Sequence, residues 1–199
     1  LWAQYALDVD AVVGFSGVFR AGSWTPVHLT VQNLGNDVDG ELQIEIVRGA
    51  HLETERPTLR YSREVELISG SSKAFSFVVP IETTVYPLRV RITDGGDIVH
   101  EQEQELLGKS VPAKLTLVLA RRPNLDFLLP LYNPSDRRVL DIVYPLPTYL
   151  PDQWQGYEAV DTIVIHDARL QELTERQVVA IRDWVAGGGR LVVAGAAAA

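Results

Sequence analysis

The hydrophobic pattern changes period near the middle of the chain, and this change limits the available folds more than any other feature. In the first half, apolar and polar residues alternate. The pattern is clearest in Val27-His28-Leu29-Thr30-Val31, Leu42-Gln43-Ile44-Glu45-Ile46, Phe75-Ser76-Phe77-Val78-Val79 and Leu88-Arg89-Val90-Arg91-Ile92. Successive side chains of a strand point to opposite faces, so alternation predicts strands with one buried face. Turn-forming residues separate them at Asn33-Leu34-Gly35-Asn36, Asp39-Gly40, Ser69-Gly70-Ser71 and Asp94-Gly95-Gly96. Asp94-Gly95-Gly96-Asp97, set between Ile92 and Ile98, has the form of a tight hairpin. No amphipathic helix pattern interrupts this half. Residues 1–108 are therefore expected to form about seven strands in an all-β, Ig-like sandwich. The chain has no Cys, so the sandwich would lack the usual disulfide.

The second half is written differently. Leu115-Thr116-Leu117-Val118-Leu119-Ala120, Val139-Leu140-Asp141-Ile142-Val143, Thr162-Ile163-Val164-Ile165 and Leu191-Val192-Val193-Ala194 are short apolar runs. Such runs suit strands covered on both faces of a parallel sheet. A helix is predicted from Thr174 to Ala186. Thr174 and Gln177 have capping-box spacing, and Val178, Ile181, Trp184 and Val185 make one apolar face. Gly187-Gly188-Gly189 ends it. Strands alternating with helical stretches imply an α/β domain over residues 109–199. Four strands make a thin sheet, so this domain is expected to continue past residue 199. Charge divides the chain at the same place. Residues 1–108 carry 8 basic and 16 acidic residues, whereas residues 109–199 carry 10 of each. Gly108-Lys109-Ser110-Val111-Pro112 sits at the boundary.

Composition excludes several classes of function. The 199 residues carry a net charge of −8, which disfavours nucleic acid and anionic membrane surfaces as partners. No run approaches the roughly 18 apolar residues of a membrane span. Without Cys there is no thiol nucleophile and no Cys-ligated zinc. Without Met the sequence does not start at an initiator and reads as a fragment. His28, His51, His100 and His166 show no ligand spacing, and Asp8/Asp10 and Asp37/Asp39 lack a calcium loop around them. No phosphate loop is present, because Gly187-Gly188-Gly189 closes a helix instead of opening one. Neither a metal nor a cofactor is expected. Gly14-Phe15-Ser16-Gly17 lies among strands, where a serine nucleophile elbow is not expected.

Two places remain where chemistry could sit. Open α/β sheets bind ligands beyond the carboxyl ends of their strands. Arg121 and Arg122 follow the first apolar run, and His166 and Asp167 follow the third. The guanidinium pair suits a carboxylate or phosphate, and His166 beside Asp167 offers a proton carrier near neutral pH. The competing reading leaves the arginines solvated and Asp167 as a turn residue. The second place is the segment from Tyr144 to Tyr157, which carries Pro145, Pro147 and Pro151 with three Tyr and one Trp. Stiff aromatic segments lose little entropy on binding. Tyr149, Trp154 and Tyr157 are thus candidates for a protein partner, or else pack between the two halves.

Tyr157 through Asp167, Leu173-Thr174-Glu175-Arg176-Gln177 and Trp184 through Gly195 resemble the class I glutamine amidotransferase-like superfamily, a flavodoxin-like α/β fold. The pattern is similar to its non-catalytic relatives in bacterial envelope proteins. Gly14 through Val27 also looks like the start of the β-sandwich that precedes such domains. The resemblance implies an exported, membrane-tethered protein, periplasmic or at the cell surface, that works in protein recognition or scaffolding. Catalytic members carry a Cys at a position aligning with Gly195 or Ala196, so the resemblance implies no amidotransferase chemistry and no catalytic residues here. The closing Ala196, Ala197, Ala198 and Ala199 read as natural residues, as an added tail or as stand-ins for other side chains. The alternative function is an enzyme or small-ligand sensor using the crevice near Arg121, Arg122, His166 and Asp167.

Overall fold

Seven antiparallel strands occupy the first half: β1 (Leu7–Val13), β2 (Ser23–Asn33), β3 (Val38–Val47), β4 (Thr58–Leu67), β5 (Ser72–Ile81), β6 (Leu88–Asp94) and β7 (Asp97–Gln104). They form two sheets, ordered β1-β2-β5 and β4-β3-β6-β7. The structure is a computed structural model, and it describes residues 5–48, 57–106, 114–122, 140–168 and 170–194. The alternation seen in the sequence sets the core. Val27, Leu29 and Val31 of β2 meet Leu42, Ile44 and Ile46 of β3 and Val90 and Ile92 of β6 in one buried cluster. Gly95 and Gly96 turn β6 into β7 with φ of 56° and 95°, the left-handed region that a two-residue hairpin of this kind requires.

The outer face of the four-stranded sheet is a charge ladder. Glu45 of β3 is only 7% exposed, and Arg60 of β4 reaches it at 2.7 Å and Arg91 of β6 at 2.8 Å. Arg89 pairs with Glu103 of β7 at 2.8 Å, and Arg91 also pairs with Glu101. A carboxylate this buried is costly unless paired, and two cross-strand guanidiniums supply the compensation. The acidic run of β7 is thus one rail of the ladder.

Four strands of the second half, β8 (Lys114–Leu119), β9 (Leu140–Val143), β10 (Thr162–His166) and β11 (Arg190–Ala194), pair in parallel in the order β11-β10-β8-β9. One helix, α1 (Glu175–Ala186), packs on this sheet through Ala180, Ile181 and Trp184. Thr174 caps it, and Thr174 and Gln177 complete a capping box.

The expected fold class, an Ig-like sandwich followed by a flavodoxin-like α/β domain, is overturned. The described residues hold eleven strands and one α-helix and are predominantly β. An immunoglobulin-type sandwich places its fourth strand beside its fifth. Here β4 pairs with β3 along its whole length, a register that sets Arg60 opposite Glu45 and buries Val65 and Leu67. In the second half, the passage from β9 to β10 contains two short 3-10 turns, Pro147–Tyr149 and Trp154–Tyr157, where a flavodoxin-like domain would have a helix. Pro145, Pro147 and Pro151 explain this, since each lacks the N–H that a helix interior needs. The boundary expected between residues 108 and 109, together with Gly195 and Ala196 to Ala199, lies outside the described residues.

This proline-rich passage docks on the outer face of the sheet β1-β2-β5. Gly156 lies so close that an added Cβ would stand 2.6 Å from Pro151 Cβ and 3.3 Å from Val78 Cγ2 of β5. The Trp24 backbone N–H donates to the Glu158 carboxylate at 2.7 Å. The Tyr149 ring lies 5.1 Å from the buried His28 imidazole, whose Nδ1 meets the Ser76 hydroxyl at 2.9 Å. A tight turn between β1 and β2, closed by hydrogen bonds between Phe15 and Val18, carries Phe15 into the second core. There Phe15 stacks on Tyr157 at 6.1 Å between ring centroids, and Tyr157 meets Trp184 at 6.2 Å. The sandwich therefore supplies part of the core that holds the parallel sheet.

Candidate functional site

β8 and β10 are neighbours, but their sequence successors β9 and β11 lie on opposite sides of them. Where connections part in this way, a crevice opens beyond the carboxyl ends of the strands. A cavity of about 600 Å³ lies there, within the roughly 300–1,000 Å³ of small-molecule sites. Leu119 and Ala120 from the end of β8, Tyr144 to Pro147 after β9, and Ala168, Leu170 and Leu173 after β10 form its walls. Arg121, Arg122 and Glu172 add charge.

Gln177 fixes one wall. Its Nε2 donates to the carbonyls of Pro147 at 2.7 Å and Leu150 at 2.8 Å, while its Oε1 accepts from the Thr174 N–H at 2.9 Å. The side chain that caps α1 thus also holds the proline-rich passage in place.

The structure brings together part of the constellation expected from sequence. Arg121 Nε lies 3.8 Å from Asp167 Oδ1, and both side chains are more than half exposed. An ion pair this long and this exposed is weak. Asp167 has φ of 46°, in the left-handed region, where Asp is tolerated better than most residues. Arg121 and Arg122 both line the cavity, but His166 and Asp167 do not. The His166 Nδ1 is buried without a hydrogen-bond partner among the described residues.

The three aromatic candidates for a protein partner separate clearly. Trp154 is 49% exposed. Tyr149 is half-buried against His28. Tyr157 is fully buried and is a core residue, not a surface one. Its hydroxyl donates to the Pro151 carbonyl at 3.1 Å, and burial raises its pKa well above the usual phenol range. Sequence reasoning missed Leu146, Pro147, Leu170 and Leu173 as cavity walls. They lie in connections without periodicity, and apolar residues just after strand ends were the available signal.

Among the described residues no group of three His, Asp or Glu is placed to hold a metal ion. No helix of the described residues is long and apolar enough to cross a membrane.

Comparison with solved structures gives only faint likeness. A β-glucosidase of Listeria innocua in complex with isofagomine is 17% identical with a TM-score of 0.34, over 55% of this chain and 17% of its own. The Bifidobacterium adolescentis β-glucosidase is 19% identical with a TM-score of 0.34, over 53% of this chain and 17% of its own. A Thermotoga neapolitana β-glucosidase in complex with α-D-glucose is 13% identical with a TM-score of 0.33, over 51% of this chain and 16% of its own. The chain thus spans about a sixth of those proteins. Likeness at this level carries no inference about activity. No curated protein matches the sequence. None of these comparisons supports the amidotransferase resemblance. The model of a domain of unknown function, DUF8726, does match residues 6–107, half of the chain, and the chain belongs to that family.

Proposed function

We propose that this chain is a non-catalytic recognition module that takes a small ligand into the crevice beyond β8, β9 and β10. The observation that carries this reading is the 600 Å³ cavity at the point where the connections part, with Arg121 and Arg122 on its lining. Its non-catalytic character is supported by the place of the acid–base pair that the sequence offers. Asp167 turns to Arg121, and neither Asp167 nor His166 is on the crevice lining. Thermal unfolding against a panel of carboxylates, phosphates, sugars and nucleotides tests the reading. A ligand at about 100 times its Kd stabilises by about 2.7 kcal/mol. Ala120→Phe, which sets a benzyl group on the cavity lining, should abolish that shift. A panel with no stabilising member, or a shift that survives Ala120→Phe, would overturn the reading.

Recognition of a protein partner is the second reading. It is favoured by Trp154, an exposed aromatic side chain on a proline-stiffened passage. On the resemblance alone, we place the full protein outside the cytoplasm and tethered to a membrane. Cell fractionation that recovers it in the cytosol would contradict that placement.

A further inference from the structure

We infer that the ligand of the crevice is an amphipathic anion, an apolar body that ends in one carboxylate or phosphate. This rests on the crevice reading above. The polar side chains of the lining are those of Tyr144, Arg121, Arg122 and Glu172; the walls contributed by Leu119, Leu146, Pro147, Leu170 and Leu173 offer the hydroxyls of a sugar no side-chain partner. A polar group buried against them would lose its water without gaining a partner. A polyanion such as a nucleoside triphosphate fits no better, because Glu172 stands on the same lining as the two arginines. What the walls do suit is an acyl or aryl body.

The head group is assigned by the arginines. A guanidinium presents a planar fork that binds carboxylate or phosphate through two parallel hydrogen bonds. Arg121 has Asp167 at 3.8 Å, beyond such a contact, and both groups face solvent. An incoming carboxylate at hydrogen-bond distance makes a closer contact than Asp167 does, and Asp167, which follows the last residue of β10 and is more than half exposed, can turn its side chain into solvent. The amino end of α1 is not the anion site, since Thr174 and Gln177 already cap it.

The test is displacement of the fluorescent dye anilinonaphthalene sulfonate from the protein by a matched series. Hexanoate, octanoate, decanoate and decyl phosphate are compared with decanol and decylamine, all below their micellar concentrations. Each added pair of methylenes should tighten carboxylate binding about tenfold. Decylamine should bind at least about tenfold more weakly than decanoate, and Arg121→Gln with Arg122→Gln should remove that preference while decanol binding is unchanged. Decanoate against decyl phosphate identifies the head group. Equal binding of decanoate, decanol and decylamine would overturn the anion assignment and leave the crevice reading standing. Displacement by no member of the series, or dye binding unaffected by Ala120→Phe, would overturn both.

Discussion

Arg20 and Asp161, 141 residues apart in sequence, meet at 2.8 Å, and the same Asp161 oxygen accepts the backbone N–H of Leu115 at 2.8 Å. The Asp161 N–H donates in return to the Leu115 carbonyl at 2.9 Å. One carboxylate thus joins the turn region of the sandwich to the start of β8 and the approach to β10. Both side chains of the pair are about one-third exposed, so the Coulombic part is modest. The backbone anchor is the larger part. Asp161→Ala should cost about 2 kcal/mol and Arg20→Ala about 1 kcal/mol in urea unfolding. The double variant should cost less than the sum, whereas additive losses would show that the two residues do not work together.

His28 makes stability depend on pH. Burial between β2 and the Tyr149 turn lowers its pKa below the usual 6.5, opposed by the Tyr149 backbone and the Asp152 carboxylate. Below pH 6.5 the unfolded chain takes up a proton that the folded chain refuses, down to the folded pKa. The contribution is therefore complete above 6.5, shrinks as pH falls and levels off beneath the folded pKa. Urea midpoints at about pH 7.5 and about pH 5.5 should differ for the parent and differ less for His28→Leu. Identical slopes in the two proteins would assign the pH dependence to other groups.

Gln177 couples helix capping to the cavity wall. Gln177→Ala removes one cap and two hydrogen bonds to backbone carbonyls, a loss of about 2–3 kcal/mol. Gln177→Glu retains an acceptor for the Thr174 N–H but cannot donate to Pro147 and Leu150. With a buried carboxylate facing two carbonyl oxygens at 2.7 and 2.8 Å, it should destabilise at least as much as Gln177→Ala and weaken ligand binding in the crevice. If Gln177→Glu binds as tightly as the parent, the Pro147 wall does not depend on this side chain.

Gly156 is fixed by space, not by backbone angle. A methyl group there would meet Pro151 at 2.6 Å and press on Val78 at 3.3 Å. Gly156→Ala should cost about 1–3 kcal/mol through overpacking. Hydrogen exchange should quicken in the Trp154–Tyr157 turn while β3 and β6 stay protected. Uniform quickening would show that the docked passage is not a separate weak point.

The strands were legible because period-2 alternation survives in a single strand, and Gly95-Gly96 announced its hairpin without tertiary information. Thr174 and Gln177 announced the helix start for the same local reason. The partner of β4 was not legible, since Val65 and Leu67 alternate equally well beside β3 or β5. Of the two readings open for Tyr157, the structure shows packing between the halves, with Phe15 and Trp184 around it, and nothing in the local sequence tells it from the exposed Trp154. Arg121 and Asp167 could be placed at one sheet end from strand order alone. The leucines of the crevice could not, because loop residues carry no period that reports their direction.

The docking of the proline-rich passage is the central contact of the molecule, because it joins the sandwich to the parallel sheet and fixes a wall of the crevice. A nuclear Overhauser measurement between the His28 imidazole and the Tyr149 ring tests it most directly. Their centroids lie 5.1 Å apart, so cross-peaks between the two rings are predicted in the intact protein. Two well-resolved rings with no cross-peak, and His28 titrating near its usual 6.5, would contradict it.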